Sequence, residues 1–148
     1  MKTFTFIAFF ALLTVVSCKK DPIAAPKSCG KTVAEIAGNY SLTKIELANG
    51  TMFTDVTTTY LLPCQLDDKL MLNANGVANF VDEGTVCTPS GSRNGNWTLS
   101  ADSKITIAGG SISVANADIV SFDCNILVLL ANQTVAGFPV QIRLTIKK

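Results

Sequence analysis

The sequence predicts an all-β fold, with roughly ten short strands in succession closing into one barrel or sandwich. Three observations carry that expectation. Short runs of alternating apolar and polar residues recur along the chain, as in Phe138–Lys147, where Phe138, Val140, Ile142, Leu144 and Ile146 share one face. Asn-Gly, Gly-Gly, Ala-Asp and Asp-Cys-Asn breaks separate those runs at strand-like intervals. After the N-terminal apolar run no room remains for a crossover helix, and the apolar run Ile126–Leu130 is of strand length.

Taken in order, the chain opens on Met1-Lys2 and an apolar run from Phe4 to Val16, which ends at Val15-Val16-Ser17-Cys18. A basic start, a short apolar stretch and small residues at the end describe a signal peptide over residues 1–17. A cysteine directly after the small serine replaces the usual A-x-A-like end. Val-Val-Ser-Cys resembles the lipobox of bacterial lipoproteins, which implies that Cys18 becomes the acylated, palmitate-type lipid-bearing first residue. Residues 18–28 turn polar and carry Pro22 and Pro26, as suits a tether. The expected location is the cell envelope, lipid-anchored through Cys18. Lys19-Lys20-Asp21 has one acid and forms no acidic run, so the periplasmic face of the outer membrane is preferred to the cell surface.

The mature part, 18–148, is electrically balanced, with 11 Lys plus Arg against 11 Asp plus Glu once Lys2 is removed. It has no basic stripe with interleaved aromatics, so no nucleic-acid partner is expected. Its length suits one core, placed at residues 29–148. Thr32-Val33-Ala34-Glu35 has the form of a capping box and predicts one helical turn before the first strand. Strands are expected at Gly38–Leu47, Asp55–Leu61, Lys69–Ala74, Val77–Asp82, Asn94–Ser100, Lys104–Ala108, Ser111–Val114, Ile119–Phe122, Asn125–Ala131 and Phe138–Lys147.

Four further cysteines, Cys29, Cys64, Cys87 and Cys124, read as disulfides in an exported chain. Their spacings of 35, 23 and 37 residues contain no C-x-x-C pair, which disfavours a zinc site. A hairpin about Asn75-Gly76 bears on the pairing. A two-residue loop places Cys64 opposite Cys87. A three-residue loop with Gly76 left-handed pairs Leu70 with Phe80 and Leu72 with Ala78, and a bulge near Gly84 then restores the cysteine alignment. Cys64–Cys87 is therefore preferred, leaving Cys29–Cys124. A competing pairing, 29–64 with 87–124, comes from the echo of Gly38-Asn39-Tyr40-Ser41-Leu42 in Gly95-Asn96-Trp97-Thr98-Leu99, if it marks a duplication. The alternative source of that echo is a glycine allowing close approach and an aromatic plugging a barrel end.

The lipobox with Cys-Lys-Lys-Asp, the Ile36-Ala37-Gly38-Asn39-Tyr40-Ser41-Leu42 opening and the Cys64-Gln65-Leu66-Asp67-Asp68-Lys69-Leu70 block stand in one order with the Asn75-Gly76 turn, Cys87 and Gly95-Asn96-Trp97-Thr98-Leu99. Together they resemble the small lipocalin-like lipoproteins of Bacteroidota, with Tyr40 where lipocalins usually place tryptophan. The resemblance implies an up-and-down antiparallel barrel of about eight strands, whose mouth admits a small apolar ligand.

Catalysis has little support. The chain has no histidine, and oxidised cysteines are not nucleophiles. Asp67-Asp68 and Asp82-Glu83 meet at the open end of the hairpin, but solvated acids flanking strands are the ordinary case, and no Asp-x-Asp-x-Asp-Gly loop supports calcium. No metal, cofactor or enzymatic activity is expected. The leading expectation is a membrane-anchored, non-catalytic binder of a small hydrophobic ligand, held by Phe80, Trp97, Phe122, Phe138 and Ile142. The second is a solid β-domain that contacts an envelope protein partner or a surface polysaccharide. An inner cavity above about 300 Å³ separates the two.

Overall fold

The computed structural model describes residues 29–110, 112–135 and 137–148. The signal peptide 1–17, the acylation site Cys18 and the tether through residue 28 lie outside the described residues, as does Ser111.

Nine antiparallel strands form one sheet: β1 (Gly38–Asn49), β2 (Met52–Asp55), β3 (Lys69–Leu72), β4 (Val77–Val81), β5 (Arg93–Leu99), β6 (Lys104–Ala108), β7 (Val114–Phe122), β8 (Ile126–Val135) and β9 (Phe138–Lys147). Strands β3 to β9 follow one another, and β9 pairs with β1 to close an eight-stranded barrel, with β2 as the extra strand. Length explains how β1 serves three partners. One edge pairs with β9 from Ser41 to Leu47, and the other takes β3 at Gly38–Ser41 and β2 at Glu46–Asn49. A register shift between Leu42 and Lys44 bends β1 where it changes partners.

The β3–β4 hairpin adopts the three-residue register: Leu70 faces Phe80 and Leu72 faces Ala78. Gly76, at φ +86°, supplies the left-handed residue, and its N–H donates to the Asn73 carbonyl at 2.9 Å. Both preferred disulfides form, Cys64–Cys87 and Cys29–Cys124, which overturns the competing pairing 29–64 with 87–124. No bulge at Gly84 is needed. β4 ends at Val81, and Gly84, at φ +59°, sits in the following loop, which carries Cys87 to Cys64.

Two other strand expectations are corrected. Asp55–Leu61 is not one strand: β2 stops at Asp55 and a short helix, α2, spans Thr57–Tyr60. The Asp55 carboxylate accepts from the Thr57 backbone N–H at 3.0 Å and its hydroxyl at 2.6 Å, and this local bonding turns the chain away from the sheet. The expected strand Ser111–Val114 is not one: Ile112 and Ser113 lie outside any strand, and Val114 opens a single long element, β7, that also takes in Ile119–Phe122. Its Ala-Asp break is absorbed by a left-handed Asn116 at φ +49° and by register shifts, not by a turn.

The barrel's two ends differ. The β3–β4, β5–β6 and β7–β8 turns and the start of β1 share one end, which the N-terminal segment covers. Helix α1 (Val33–Ile36) starts on the Thr32–Glu35 capping box, with the Glu35 N–H donating to Thr32 Oγ1 at 3.3 Å and the Thr32 hydroxyl donating to Glu35 Oε2 at 2.8 Å. Ile36 is fully buried, and Cys29 staples the segment to the β7–β8 turn through Cys124. The two echo residues act alike here. Tyr40 donates its hydroxyl to the Ile36 carbonyl, and Trp97 donates Nε1–H to the Asn73 carbonyl at 2.8 Å. Burial pushes the Tyr40 hydroxyl well above its ordinary range, which keeps it a donor. Among the described residues, one buried apolar cluster and the two disulfides tie the barrel and its N-terminal segment together.

Candidate functional site

At the opposite end the interior is not filled. Alternation along β1 and β9 turns Leu42, Ile45, Ile142 and Leu144 inward, and where the β-wall runs past the packed layers these side chains line a cavity of about 190 Å³ open to solvent. Leu61, Ile112 and Val114 complete the apolar wall. Tyr60 from α2, Ser113, and Gln133 and Thr134 near the end of β8 form a polar side, with Gln133 Nε2 donating to the Ser113 carbonyl at 3.3 Å. The residues between the inward-facing ones point outward: Glu46 is clasped by Arg143 at 2.6 and 2.8 Å and by Lys44 at 2.8 Å, and Arg143 stacks on Phe53 at 4.0 Å. The Arg143 hydrogen bonds hold the Glu46 carboxyl at about 2, with Lys44 adding to them against the opposing effect of burial.

Leu42, Leu61 and Ile112 are shared with a neighbouring hollow of about 10 Å³, lined also by Gln65, Asp68, Lys69, Leu70 and Phe80. A third hollow, of about 290 Å³, lies outside the closed end between Val33, the Asn75-Gly76 turn and Leu99. Trp97 and Thr98 of β5 also line it, and it shares no residue with the mouth.

Of the five residues expected to line a ligand cavity, Ile142 alone lines the mouth. Phe80 lines the smaller neighbouring hollow and is 5 % exposed. Trp97 and Phe122 are core residues near the closed end, where Trp97 is tied to the β3–β4 turn. Phe138 is corrected outright: it is 72 % exposed, because β9 overruns its pairing with β1, which stops at Leu47–Ile142. Alternation assigns the face correctly there, but the barrel has ended. Leu42, Ile45 and Leu144 were recognisable as inward-facing; what singles them out is knowing which end is plugged.

The acids gather in the loops around the Cys64–Cys87 disulfide. Asp82 accepts from the backbone N–H of Gly91 at 2.7 Å and of Cys87 at 3.1 and 3.2 Å, which holds its carboxyl below the usual range. Asp67 accepts from the Thr85 N–H at 2.9 Å. Asp68 is raised, first by burial and then by the neighbouring Asp82 charge, and its Oδ1 is buried without a partner among the described residues. These oxygens organise the disulfide-linked loops, and among the described residues no group of three His, Cys, Asp or Glu is placed to hold a metal.

An eight-stranded antiparallel barrel, plugged at one end and open over an apolar hollow at the other, is the architecture of the lipocalin-like domain, and the profile of that family matches residues 36–129. The chain belongs to the lipocalin-like domain family. No curated protein and no solved structure matches it. Lipocalin-like barrels are in general binding folds, and their interiors are shaped by the side chains each member carries. In this member most of the interior is packed.

Proposed function

We propose that this lipocalin-like protein is a lipid-anchored envelope module that binds a small apolar group at the barrel mouth and catalyses no reaction. The observation that carries the binding half is the 190 Å³ apolar cavity at the one end that the N-terminal segment leaves uncovered. This lies below the roughly 300 Å³ at which pockets for drug-sized ligands begin, but an apolar cavity of about 150 Å³ suffices for benzene. The occupant is therefore ring-sized, or the ring-sized end of something larger. The anchoring half is supported by the Val-Val-Ser-Cys sequence at residues 15–18 and the tether-like composition to residue 28, with the two disulfides fitting an oxidising compartment. The periplasmic face of the outer membrane is the proposed site. The non-catalytic half is supported by the absence of histidine and by four cysteines engaged in disulfides.

A second reading, an envelope interaction module, is favoured by Phe138 and Met52, each 72 % exposed on the hairpins β8–β9 and β1–β2 beside the mouth. Two measurements test the proposal. Alkyne-palmitate labelling in the native envelope tags the wild-type chain and not Cys18→Ala if the anchor is right; equal labelling refutes it. Native mass spectrometry of residues 28–148 purified from an oxidising periplasm shows a small-molecule adduct if the mouth is a binding site. An unliganded spectrum after exposure to hydrophobic metabolites turns the reading to the interaction module.

A further inference from the structure

We propose that the mouth selects an uncharged ligand: a ring-sized apolar body carrying a neutral hydrogen-bonding group, with carboxylates and ammoniums of the same size rejected. The inference rests on the reading of the mouth as a binding site and names its ligand class. Its basis is the lining itself. Seven aliphatic side chains form the wall, and the polar side consists of Tyr60, Ser113, Gln133 and Thr134, which offer hydroxyl and amide groups and no carboxylate, ammonium or guanidinium.

The charges nearest the mouth are turned away from it or already engaged. Lys44, Glu46 and Arg143 alternate with Ile45, Ile142 and Leu144, so they stand on the outer face, where they satisfy one another. Lys69 borders the neighbouring hollow and not the mouth, and it donates Nζ to Ser41 Oγ, its cross-strand neighbour, at 2.6 Å. Asp68 borders the smaller hollow too and is not among the side chains that line the mouth. A charged head group entering the mouth thus loses water and gains no counter-charge, whereas a hydroxyl or amide meets donors and acceptors of its own kind. Gln133 is the residue we assign to read that group. Its Nε2 donates to the Ser113 carbonyl at 3.3 Å, which leaves Oε1 as an acceptor at the cavity wall.

The test is a titration of ¹⁵N-labelled residues 28–148, disulfides formed, with benzyl alcohol, benzoate and benzylammonium, following the amide signals of Leu42, Ile45, Ser113, Gln133 and Leu144. Benzyl alcohol is expected to shift them saturably, and the two ions to bind about tenfold or more weakly, at a half-open site where part of each charge keeps its water. Gln133→Leu should narrow the gap between benzyl alcohol and toluene, and Ile142→Trp should fill the mouth and abolish the shifts. Benzoate binding as tightly as benzyl alcohol overturns the inference while leaving a binding mouth in place. Tighter binding of benzylammonium overturns it as well and implicates Asp68. If none of the probes shifts the mouth amides, the binding reading itself fails. Full binding by Ile142→Trp would move the site elsewhere.

Discussion

Leu129→Ala and Ile142→Ala remove similar side-chain volume from neighbouring strands of one barrel, and they should differ severalfold in cost. Leu129 is 1 % exposed, faces Leu144 across the β8–β9 ladder and sits in the packed layers. Truncation there loses about 0.8 kcal/mol for each buried methylene-equivalent and leaves a void its neighbours cannot close, for a total of about 3–5 kcal/mol. Ile142 is half-buried and lines the mouth, so truncation enlarges a space already open to water. With partial burial and no sealed void, its cost is about 1 kcal/mol. Urea unfolding followed by the fluorescence of Trp97, the single tryptophan and 2 % exposed, reads both variants. At a slope of roughly 1.5 kcal/mol per M, the Leu129→Ala midpoint falls by about 2 M or more and that of Ile142→Ala by well under 1 M. Equal losses, or a larger loss at Ile142, would refute the division of the interior into a packed base and a hollow mouth.

Other perturbations follow from the same geometry. By the chain-entropy estimate, removing Cys29–Cys124, whose ends lie 95 residues apart, costs about 4.7 kcal/mol, and removing Cys64–Cys87, 23 apart, about 3.4 kcal/mol; urea midpoints of the two double-serine variants check the order. The folded-state pKa of Glu46, about 2 against an ordinary 4.5, lies below the unfolded one, so its contribution is fully present above about 4.5 and is lost as pH falls towards 2. Glu46→Gln should therefore unfold with a flatter acid limb than wild type in pH-dependent melting. Asp68 has the opposite sign: its raised pKa means stability is lost as pH rises through the folded value, so Asp68→Asn should raise the melting temperature at pH 7 and leave it nearly unchanged at pH 3.

How much the amino-acid sequence discloses varies with the physics at each position. Strand β9 was legible to its exact ends because both faces keep a strict period of two, and the β3–β4 register followed from placing Leu70, Leu72, Ala78 and Phe80 on one face. The Cys64–Cys87 pairing was reached from the other, two-residue register or a bulge near Gly84, whereas in the structure the loop after β4 brings Cys87 to Cys64. Asp55–Leu61 misled because strand propensity says nothing of a carboxylate positioned to bond Thr57 two residues on. The end of β8, Asn132–Val135, reads as a loop in sequence because Asn-Gln-Thr is polar, yet Gln133 and Thr134 are wall residues of the mouth. Period-two reasoning reports which face a side chain takes, not how far along the barrel it stands. Phe138 and Ile142 share a face, and only closure of the β1–β9 seam at Leu47–Ile142 separates a surface residue from a lining one.

The central claim is an apolar cavity at the open mouth of an otherwise packed barrel. A crystal of residues 28–148 under xenon pressure tests it most directly, because xenon enters apolar cavities and gives strong density. The account predicts one well-occupied xenon between Leu42, Ile45 and Leu144, with none among the packed residues around Leu129. Density deep in the barrel, or none at the mouth, would contradict it.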